Sequence, residues 1–187
     1  MTYSEYQPGQ SQRCDAELVQ LFVKTFGDSE GPEEGALIGK LVRDFLDTTD
    51  YGDLRIIVAV EDAALEGSIF VGSIVFSRFT CGDGTGAFLM APVAVYTDYQ
   101  KRGIGQELIR YGLEKLRASG VQLVMSYGDI NFYSKTGFVV VSEELIPAPL
   151  PLSYPTGWIG QSLDGETIKP VTGGTQCVPA IEKSVYW

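Results

Sequence analysis

The segment that decides the fold runs from Leu89 to Ser119 and reads LMAPVAVYTDYQKRGIGQELIRYGLEKLRAS. It begins with an apolar run, Leu89–Val95, that is short and rich in β-formers, which predicts a buried strand. After a polar turn, apolar residues recur at the spacing of one buried helical face: Ile104, Leu108, Ile109, Leu113 and Leu116. The segment therefore predicts a strand, a turn and a helix in that order.

The turn between the strand and the helix has the composition of an anion-binding site. The first N–H groups of a helix have no partner within the helix and lie at the positive end of its macrodipole. Gly103 and Gly105 carry no Cβ, so a phosphate can approach their backbone closely. Lys101 and Arg102 add full positive charges beside them. We therefore predict that this turn binds phosphate groups at the end of a strand.

Two widespread phosphate-binding motifs are excluded. The chain contains no Gly-x-x-x-x-Gly-Lys-Ser/Thr sequence, which rules out a Walker-type loop. Gly103-Ile104-Gly105 lacks the third glycine of the dinucleotide-binding motif, and no acidic residue ends a following strand as a ribose acceptor would.

The sequence Gln100-Lys101-Arg102-Gly103-Ile104-Gly105 does resemble the Gln/Arg-x-x-Gly-x-Gly/Ala motif of the GNAT superfamily of acetyl-CoA-dependent N-acetyltransferases. The preceding Ala94–Tyr99 is similar to the Val-x-Pro-x-Tyr-Gln sequence of that family, with Thr97 where proline is common. In the family, this loop binds the pyrophosphate of coenzyme A. The resemblance implies that the cofactor is bound by Gln100, Lys101, Arg102, Gly103, Ile104, Gly105 and Gln106.

The resemblance also implies the arrangement of the strands. The strand predicted over Gln122–Tyr127 would run parallel to Leu89–Val95, and the two would splay apart. Coenzyme A would lie in the gap, its pantetheine arm pairing with the main chain of Val93, Ala94 and Val95. The implied fold is α+β, with a mixed, mostly antiparallel central sheet, one splayed parallel pair and flanking helices.

A second match follows at Gly128–Phe138, where GDINFYSKTGF fits the pattern Gly-Asp-x-x-Phe-Tyr-x-x-x-Gly-Phe. This pattern is similar to that of a bacterial branch of predicted acetyltransferases. The resemblance implies that Tyr133 lies near the sulfur of coenzyme A, where a phenol can protonate the leaving thiolate. A packed aromatic is the alternative for Tyr133. Asn131 is a candidate for contact with pantetheine, and a solvated helix residue is its alternative.

The general base is less well defined by the sequence. The chain contains no histidine, so carboxylates or tyrosines must remove the proton from the amine. Asp129 is most simply the N-cap of a short helix, with a role as base as the minority interpretation. Glu143 follows a strand predicted over Phe138–Val141 and would flank the acceptor in the family arrangement. Because adjacent glutamates are usually exposed to solvent, Glu143 and its neighbour Glu144 can equally be interpreted as surface residues.

Composition limits the class of protein and its partners. A chain of 187 residues that is 44% apolar suits one domain. A net charge of −10 argues against nucleic acid and anionic membranes as partners and favours an amine-bearing acceptor. The absence of histidine excludes a His-ligated metal and a Ser-His-Asp triad, and no metal is predicted. Separated cysteines, a polar amino terminus and the lack of a long apolar run predict a cytoplasmic protein.

The remaining pattern predicts the elements on either side of the central segment. Before the central segment, we predict a strand over Met1–Tyr6, a helix over Ala16–Phe26 capped by Asp15, an acidic loop over Gly27–Gly35 and a helix over Glu34–Asp47. We also predict strands over Arg55–Val60 and Ser68–Phe79, joined by a turn at Glu61–Gly67.

After the central segment, prolines and glycines become frequent from Ile146 onward. We predict a GNAT-like core over residues 1–146 and a Pro/Gly-rich extension over residues 147–187. The extension would pack on the core, with a short hairpin around Thr167–Cys177. It would line the acceptor cleft or form a homodimer contact, and the sequence does not choose between them.

These observations predict an acetyl-CoA-dependent N-acetyltransferase. A small-molecule or peptide amine would attack acetyl-CoA directly within a ternary complex. The alternative, kept open by the missing histidine and the undefined base, is a non-catalytic acyl-CoA-binding regulatory module. A nucleotide-phosphate binder is less well supported, because no ribose or metal ligands accompany the turn. The acceptor is not determined by the sequence.

Overall fold

The computed structural model describes residues 1–9, 11–63 and 67–187, and it describes no side chains at residues 62, 63, 67 and 68. The described helices are α1 (Gln12–Glu30), α2 (Pro32–Thr48), α3 (Ile104–Ala118) and α4 (Ile130–Tyr133). The strands are β1 (Thr2–Tyr6), β2 (Leu54–Ala63), β3 (Gly67–Cys81), β4 (Gly86–Val95), β5 (Leu123–Tyr127), β6 (Val139–Val140), β7 (Trp158–Ser162) and β8 (Thr175–Cys177). None of the helices in these ranges combines the length and apolar character needed to cross a membrane.

The chain divides into two compact units. The first comprises Met1–Val75 and Pro92–Gly112, and the second comprises Phe76–Ala91 and Leu113–Trp187. Strands β3 and β4 and helix α3 contribute residues to both units, because each passes from one into the other along the chain. The division at residue 146 that the sequence suggests stays a prediction.

In the first unit, β1 pairs antiparallel with β2, from Thr2 opposite Val60 to Tyr6 opposite Ile56. The strand order then continues through β3 to β4. The predicted turn between β2 and β3 falls partly on residues 64–66, which lie outside the described residues. The apolar faces of the two long helices are buried as their periodicity predicts, through Leu18, Leu21 and Phe22 of α1 and Ile38, Leu41, Val42 and Phe45 of α2.

Two predictions about the first helices are wrong. Asp15 does not cap α1, because the helix begins earlier, at Gln12, and the Ser11 hydroxyl accepts the N-cap hydrogen bond. The Asp15 carboxylate instead accepts a hydrogen bond of 2.7 Å from the Tyr6 hydroxyl. The loop over Gly27–Gly35 is largely helical, and only Gly31 separates α1 from α2. Gly31 has a φ of 104°, a conformation that favours glycine, and the proline that follows it suits the first position of α2.

In the second unit, β4 pairs parallel with β5, from Ala87 opposite Leu123 to Met90 opposite Ser126. Strand β7 pairs antiparallel with both β5 and β6, so the order is β4-β5-β7-β6. Strand β8 pairs antiparallel with the end of β3. One parallel pair in a mostly antiparallel sheet with flanking helices confirms the predicted fold class.

The carboxyl-terminal region differs from its prediction. The hairpin around Thr167–Cys177 is wrong, because β8 pairs with β3 instead of with a neighbouring segment. Strand β7 was not predicted, since a stretch containing glycine, glutamine and serine lacks the alternation of a strand. Its Gly160 is explained by packing: a Cβ there would lie 2.7 Å from the Met125 sulfur. Trp158 is fully buried and donates a hydrogen bond of 2.9 Å to the Ile146 carbonyl.

The close approach of α1 and α2 gives a test of this packing. A Cβ on Gly35 would lie 2.4 Å from the Val23 carbonyl oxygen, so Gly35→Ala requires the helices to move apart. We expect the free energy of unfolding in urea to fall by about 1–3 kcal/mol. Gly27→Ala is the matched control, because its Cβ would meet no atom within 4 Å. We expect it to leave stability unchanged or to raise it by up to about 1 kcal/mol. Equal effects of the two substitutions would contradict the packing described.

Candidate active site

The predicted anion-binding turn lies in the first unit, between β4 and α3, and its backbone is unusual. Lys101 has a φ of 61° and Gly103 a φ of 84°, and Lys101 is the one non-glycine residue with positive φ in the described ranges. Left-handed residues within a turn are typical of backbone nests that bind anions. A lysine in this conformation costs about 1–2 kcal/mol, and such local strain is concentrated at functional sites.

The start of α3 is open to solvent. Glu107 N–H donates to the Gly103 carbonyl at 3.1 Å, and the N–H groups before it precede the first bond of the helix. Lys101, Arg102 and Gly103 are exposed, and a Cβ on Gly103 would meet no atom within 4 Å. The predicted residues from Gln100 to Gly103 therefore form an exposed, positively charged turn, whereas Ile104 is buried and Gly105 and Gln106 are partly exposed.

Side chains far apart in the sequence hold this turn in place. The Thr97 hydroxyl donates to the Asp28 carboxylate of α1 at 2.8 Å, and the Tyr99 hydroxyl donates to the Glu61 carboxylate of β2. Hydrogen bonds from Lys24 and Thr97 hold the pKa of Asp28 below its usual value. The sequence analysis missed these anchors, because each partner lies more than thirty residues away in the chain.

Two of the predicted cofactor residues also support the turn itself. The Gln100 amide donates to the Val95 carbonyl at 3.0 Å. One Arg102 nitrogen donates to the Asp98 carbonyl at 2.6 Å, and the guanidinium lies 5.1 Å from the centre of the Tyr99 ring. An arginine has five N–H donors, so this bond leaves others for a ligand.

The end of β4 has the features of a strand that leaves its neighbour. Its parallel pairing with β5 ends at Met90. Pro92 follows two residues later and has no N–H to donate to any ladder. Beyond it, Val93 is partly exposed, whereas Ala94 and Val95 are buried. Contact of these three residues with pantetheine stays a prediction.

Asp129 and Asn131 lie in the second unit at the start of α4. Asp129 is the N-cap of this helix, as one of its two interpretations predicts, and its carboxylate accepts from the Asn131 N–H at 2.9 Å. The Asn131 side-chain amide also donates to this carboxylate, at 2.8 Å. In this structure, the two predicted site residues therefore bond to each other.

Tyr133 ends the same helix in an aromatic environment. Its ring is half-buried and makes edge contacts with Phe132 and Phe138, at 5.1 and 5.8 Å between ring centres. Burial raises the pKa of Tyr133 to about 12, the polar side chain of Ser126 opposes that rise, and the charge of Asp129 adds to it. The phenol is therefore protonated near neutral pH and available as a donor.

Ser126 and Glu143 differ in their surroundings, since Ser126 is buried within β5 and Glu143 is exposed after β6. Ser126 is fully buried on β5, and its hydroxyl donates to the Met90 carbonyl at 2.7 Å. Its one signal in the sequence is a hydroxyl within an otherwise apolar strand. Glu143 and Glu144 are exposed after β6, in a turn where the N–H of Leu145 donates to the Ser142 carbonyl at 3.0 Å. A role for Glu143 stays a prediction.

The mixed sheet with one parallel pair and the open turn before α3 define the acetyltransferase fold of the GNAT type. Residues 52–140 match the family model described as an acetyltransferase (GNAT) domain. This part of the chain is therefore similar to that family.

Relatives and solved structures show the same similarity. Escherichia coli YjhQ, named an uncharacterized N-acetyltransferase, is 34% identical over 113 residues, which cover 57% of this chain and 62% of that protein. Escherichia coli YhbS, named likewise, is 34% identical over 88 residues, which cover 46% of this chain and 50% of that protein. The chain thus spans between half and two thirds of the length of these relatives.

The crystal structure of Escherichia coli YhbS in complex with CoA superposes with a TM-score of 0.79 at 24% identity, covering 98% of this chain and 92% of that one. A GNAT family acetyltransferase from Brucella melitensis in complex with acetyl-CoA gives a TM-score of 0.68 at 21% identity, covering 97% of this chain and 99% of that one. At these identities the two structures establish the fold.

The environment of Tyr133 generates a prediction about pH. Folding raises the pKa of this phenol from 10.0 to about 12. A group of this kind stabilises the native state at pH values below its unfolded pKa, and the contribution is lost as pH rises toward the folded pKa. We therefore expect wild-type protein to lose stability relative to Tyr133→Phe between pH 10 and pH 12, measured by urea unfolding at a series of pH values. Parallel pH profiles for the two proteins would contradict the assigned environment.

Proposed function

We propose that the protein is an acetyl-CoA-dependent acyltransferase that moves an acetyl group to an amine by direct attack within a ternary complex. The exposed turn before α3 carries this proposal, because Lys101 and Gly103 give it a nest-like backbone and the matched domain is of the GNAT family. The acceptor is a small molecule or a peptide with a free amine. The acidic balance of the chain, −10, favours such a cationic group.

The turn supplies what the pyrophosphate of coenzyme A requires. The free N–H groups from Gly103 to Gln106 donate hydrogen bonds, and the helix start favours negative charge. Lys101 and Arg102 add charge-assisted contacts. The main chain of Val93–Val95 pairs with the pantetheine arm as an added strand would. The Asn131 side-chain amide gives up its hydrogen bond to Asp129 and donates to the pantetheine arm instead.

The reaction needs one acid and one base. The amine nitrogen attacks the thioester carbonyl, a C–N bond forms and the C–S bond breaks. The departing thiolate takes a proton from the Tyr133 hydroxyl. The proton lost by the nitrogen passes through water to Asp129 or Glu143 and then restores the phenol. Net transfer leaves an amide and the free thiol of coenzyme A.

A non-catalytic acyl-CoA-binding module is the second candidate. The surroundings of the two carboxylates proposed as the base favour this candidate. The Asp129 carboxylate already accepts hydrogen bonds from Asn131, and Glu143 is exposed to solvent. Such a module would retain the turn and bind coenzyme A without turnover.

Three further points belong to the proposal. The protein is cytoplasmic, it forms a homodimer, and residues 147–187 line the acceptor cleft or contribute to the dimer contact.

Ligand binding tests the turn. Coenzyme A should raise the melting temperature, because a ligand that binds only the native state stabilises it. Gly105→Asp should abolish this shift, since a carboxylate would occupy the pyrophosphate position. Aspartate suits the first turn of a helix, so this variant should remain folded. Arg102→Ala should weaken affinity by about 1–3 kcal/mol.

The matched control is Lys115→Ala, which removes one positive charge from the last turn of α3 and should leave affinity unchanged. Normal binding by folded Gly105→Asp would place the site elsewhere. Equal stabilisation by ATP and coenzyme A would favour a general phosphate site.

Turnover distinguishes the enzyme from the binding module. Thiol release from acetyl-CoA should be detectable with at least one member of a panel of polyamines, aminoglycosides, amino acids and peptides. Tyr133→Phe should lower kcat by about 10²–10⁴-fold and leave coenzyme A affinity unchanged, because the hydroxyl acts only as charge develops on sulfur. Tight binding without turnover in wild-type protein would favour the regulatory module. Unchanged turnover in Tyr133→Phe would remove this phenol from the mechanism.

A further inference from the structure

We propose that Tyr99 is a positioning residue for coenzyme A: the face of its ring holds the Arg102 guanidinium at the exposed turn, and the Glu61 carboxylate keeps the ring in place. This inference rests on the proposed function, in which the turn binds the pyrophosphate of coenzyme A. It assigns a role in binding to an aromatic side chain that acts through a neighbouring arginine.

The Arg102 side chain is held by two contacts although it is exposed. An exposed arginine loses much rotamer freedom when a ligand fixes it. Here one terminal nitrogen donates to the Asp98 carbonyl at 2.6 Å. The guanidinium also lies over the Tyr99 ring, 5.1 Å from the ring centre, which is within the range of a cation–π contact. Part of the ordering that a ligand requires is therefore already present.

These two contacts leave most of the guanidinium available to a ligand. The ring contact uses the flat face of the group and none of its N–H donors. The bond to Asp98 uses one donor, so the others remain at the edges of the plane. Two phosphate oxygens are best recognised by such edges, in a bidentate arrangement. An Arg102 that is held by its face is thus pre-organised for an anion.

The Tyr99 ring is itself fixed at both ends. Tyr99 closes the short turn Thr97–Tyr99, where its N–H donates to the Tyr96 carbonyl at 2.8 Å. At the far end of the side chain, its hydroxyl donates to the Glu61 carboxylate of β2. A ring that is bonded through both its main chain and its hydroxyl does not swing freely away from Arg102. Strand β2 therefore helps to determine where the guanidinium lies.

The bond to Glu61 also strengthens the attraction between the ring and the cation. A phenol that donates to a carboxylate is polarised by that negative charge, and electron density on the face of the ring increases. The Arg102 guanidinium lies over this face and is attracted by that density. The same bond to Glu61 raises the pKa of Tyr99, so the phenol remains a neutral donor near neutral pH.

A purely structural role for Tyr99 is the alternative that a test must separate. The bond to Glu61 connects the turn to β2, and its loss alone would displace the backbone N–H groups of the turn. The two roles differ when Arg102 is absent. A residue that acts by holding the guanidinium then has nothing to hold, whereas a support of the backbone keeps its full effect.

A double-mutant cycle on coenzyme A affinity, measured by calorimetry, separates the two roles. Tyr99→Leu should weaken binding by about 3- to 10-fold, because the ring contact and the pre-organisation of Arg102 are lost. In the Arg102→Ala background the same substitution should cause no further loss. Tyr99→Phe keeps the ring and should bind within about 3-fold of wild-type protein. Equal losses from Tyr99→Leu in the two backgrounds, or a loss in Tyr99→Phe as large as in Tyr99→Leu, would overturn the inference.

The matched control is Tyr51→Leu, because Tyr51 is also an exposed tyrosine of the first unit and its hydroxyl donates to the Pro8 carbonyl. Its affinity for coenzyme A should equal that of wild-type protein. If Tyr99→Leu fails to fold, Tyr99→Gln removes the ring and suits a partly exposed position. Absence of coenzyme A binding by wild-type protein would overturn the proposed function and this inference with it. Unchanged affinity in folded Tyr99→Leu would overturn this inference alone.

A second measurement needs no ligand. In ¹⁵N-labelled protein, the side-chain Nε–H signal that disappears in Arg102→Ala reports the guanidinium of Arg102. A guanidinium held over a ring gives this signal a ring-current shift and restricted motion on the picosecond-to-nanosecond timescale. Both features should be lost in Tyr99→Leu and retained in Tyr99→Phe. The same shift and mobility in wild-type protein and Tyr99→Leu would show that the ring does not hold Arg102, which overturns the inference.

Discussion

The parallel ladder between β4 and β5 ends at Met90 and Ser126, and the candidate chemistry depends on that end. A ladder that continued would use every main-chain group of β4 in pairing. Here Pro92 cannot donate, and the strand proceeds to the turn before α3. On β5, the last paired residue is a serine whose hydroxyl bonds to the Met90 carbonyl. At the end of this ladder, β4 thus continues without its pairing to β5, and β5 carries a buried polar group.

The turn before α3 combines local strain with distant support. Lys101 adopts a left-handed conformation that a lysine does not favour by itself. The bonds of Thr97 to Asp28 and of Tyr99 to Glu61 connect the turn to α1 and β2. These contacts hold the backbone where a ligand can use its N–H groups, so that little ordering is required on binding. The candidate anion-binding turn therefore depends on contacts with α1 and β2 as well as on its own sequence.

Tyr133 shows how packing and chemistry act on one side chain. The aromatic contacts and the Gly128 backbone that fix its ring also shield part of it from water, and this burial raises the pKa of Tyr133. A packed aromatic and a proton donor, the two alternatives given by the sequence, are therefore compatible in this environment.

The sequence by itself determined the elements whose signals are local. Apolar periodicity identified α3, glycines and charges identified the turn before it, and the Asp129 cap followed from the residues next to it. Sequence reasoning misplaced the start of α1 and missed β7. The start of α1 depends on a local cap, Ser11, which the apolar periodicity does not reveal. Tertiary structure decided β7, because this strand is stabilised by β5 and β6 on its two sides, and those partners lie elsewhere in the sequence.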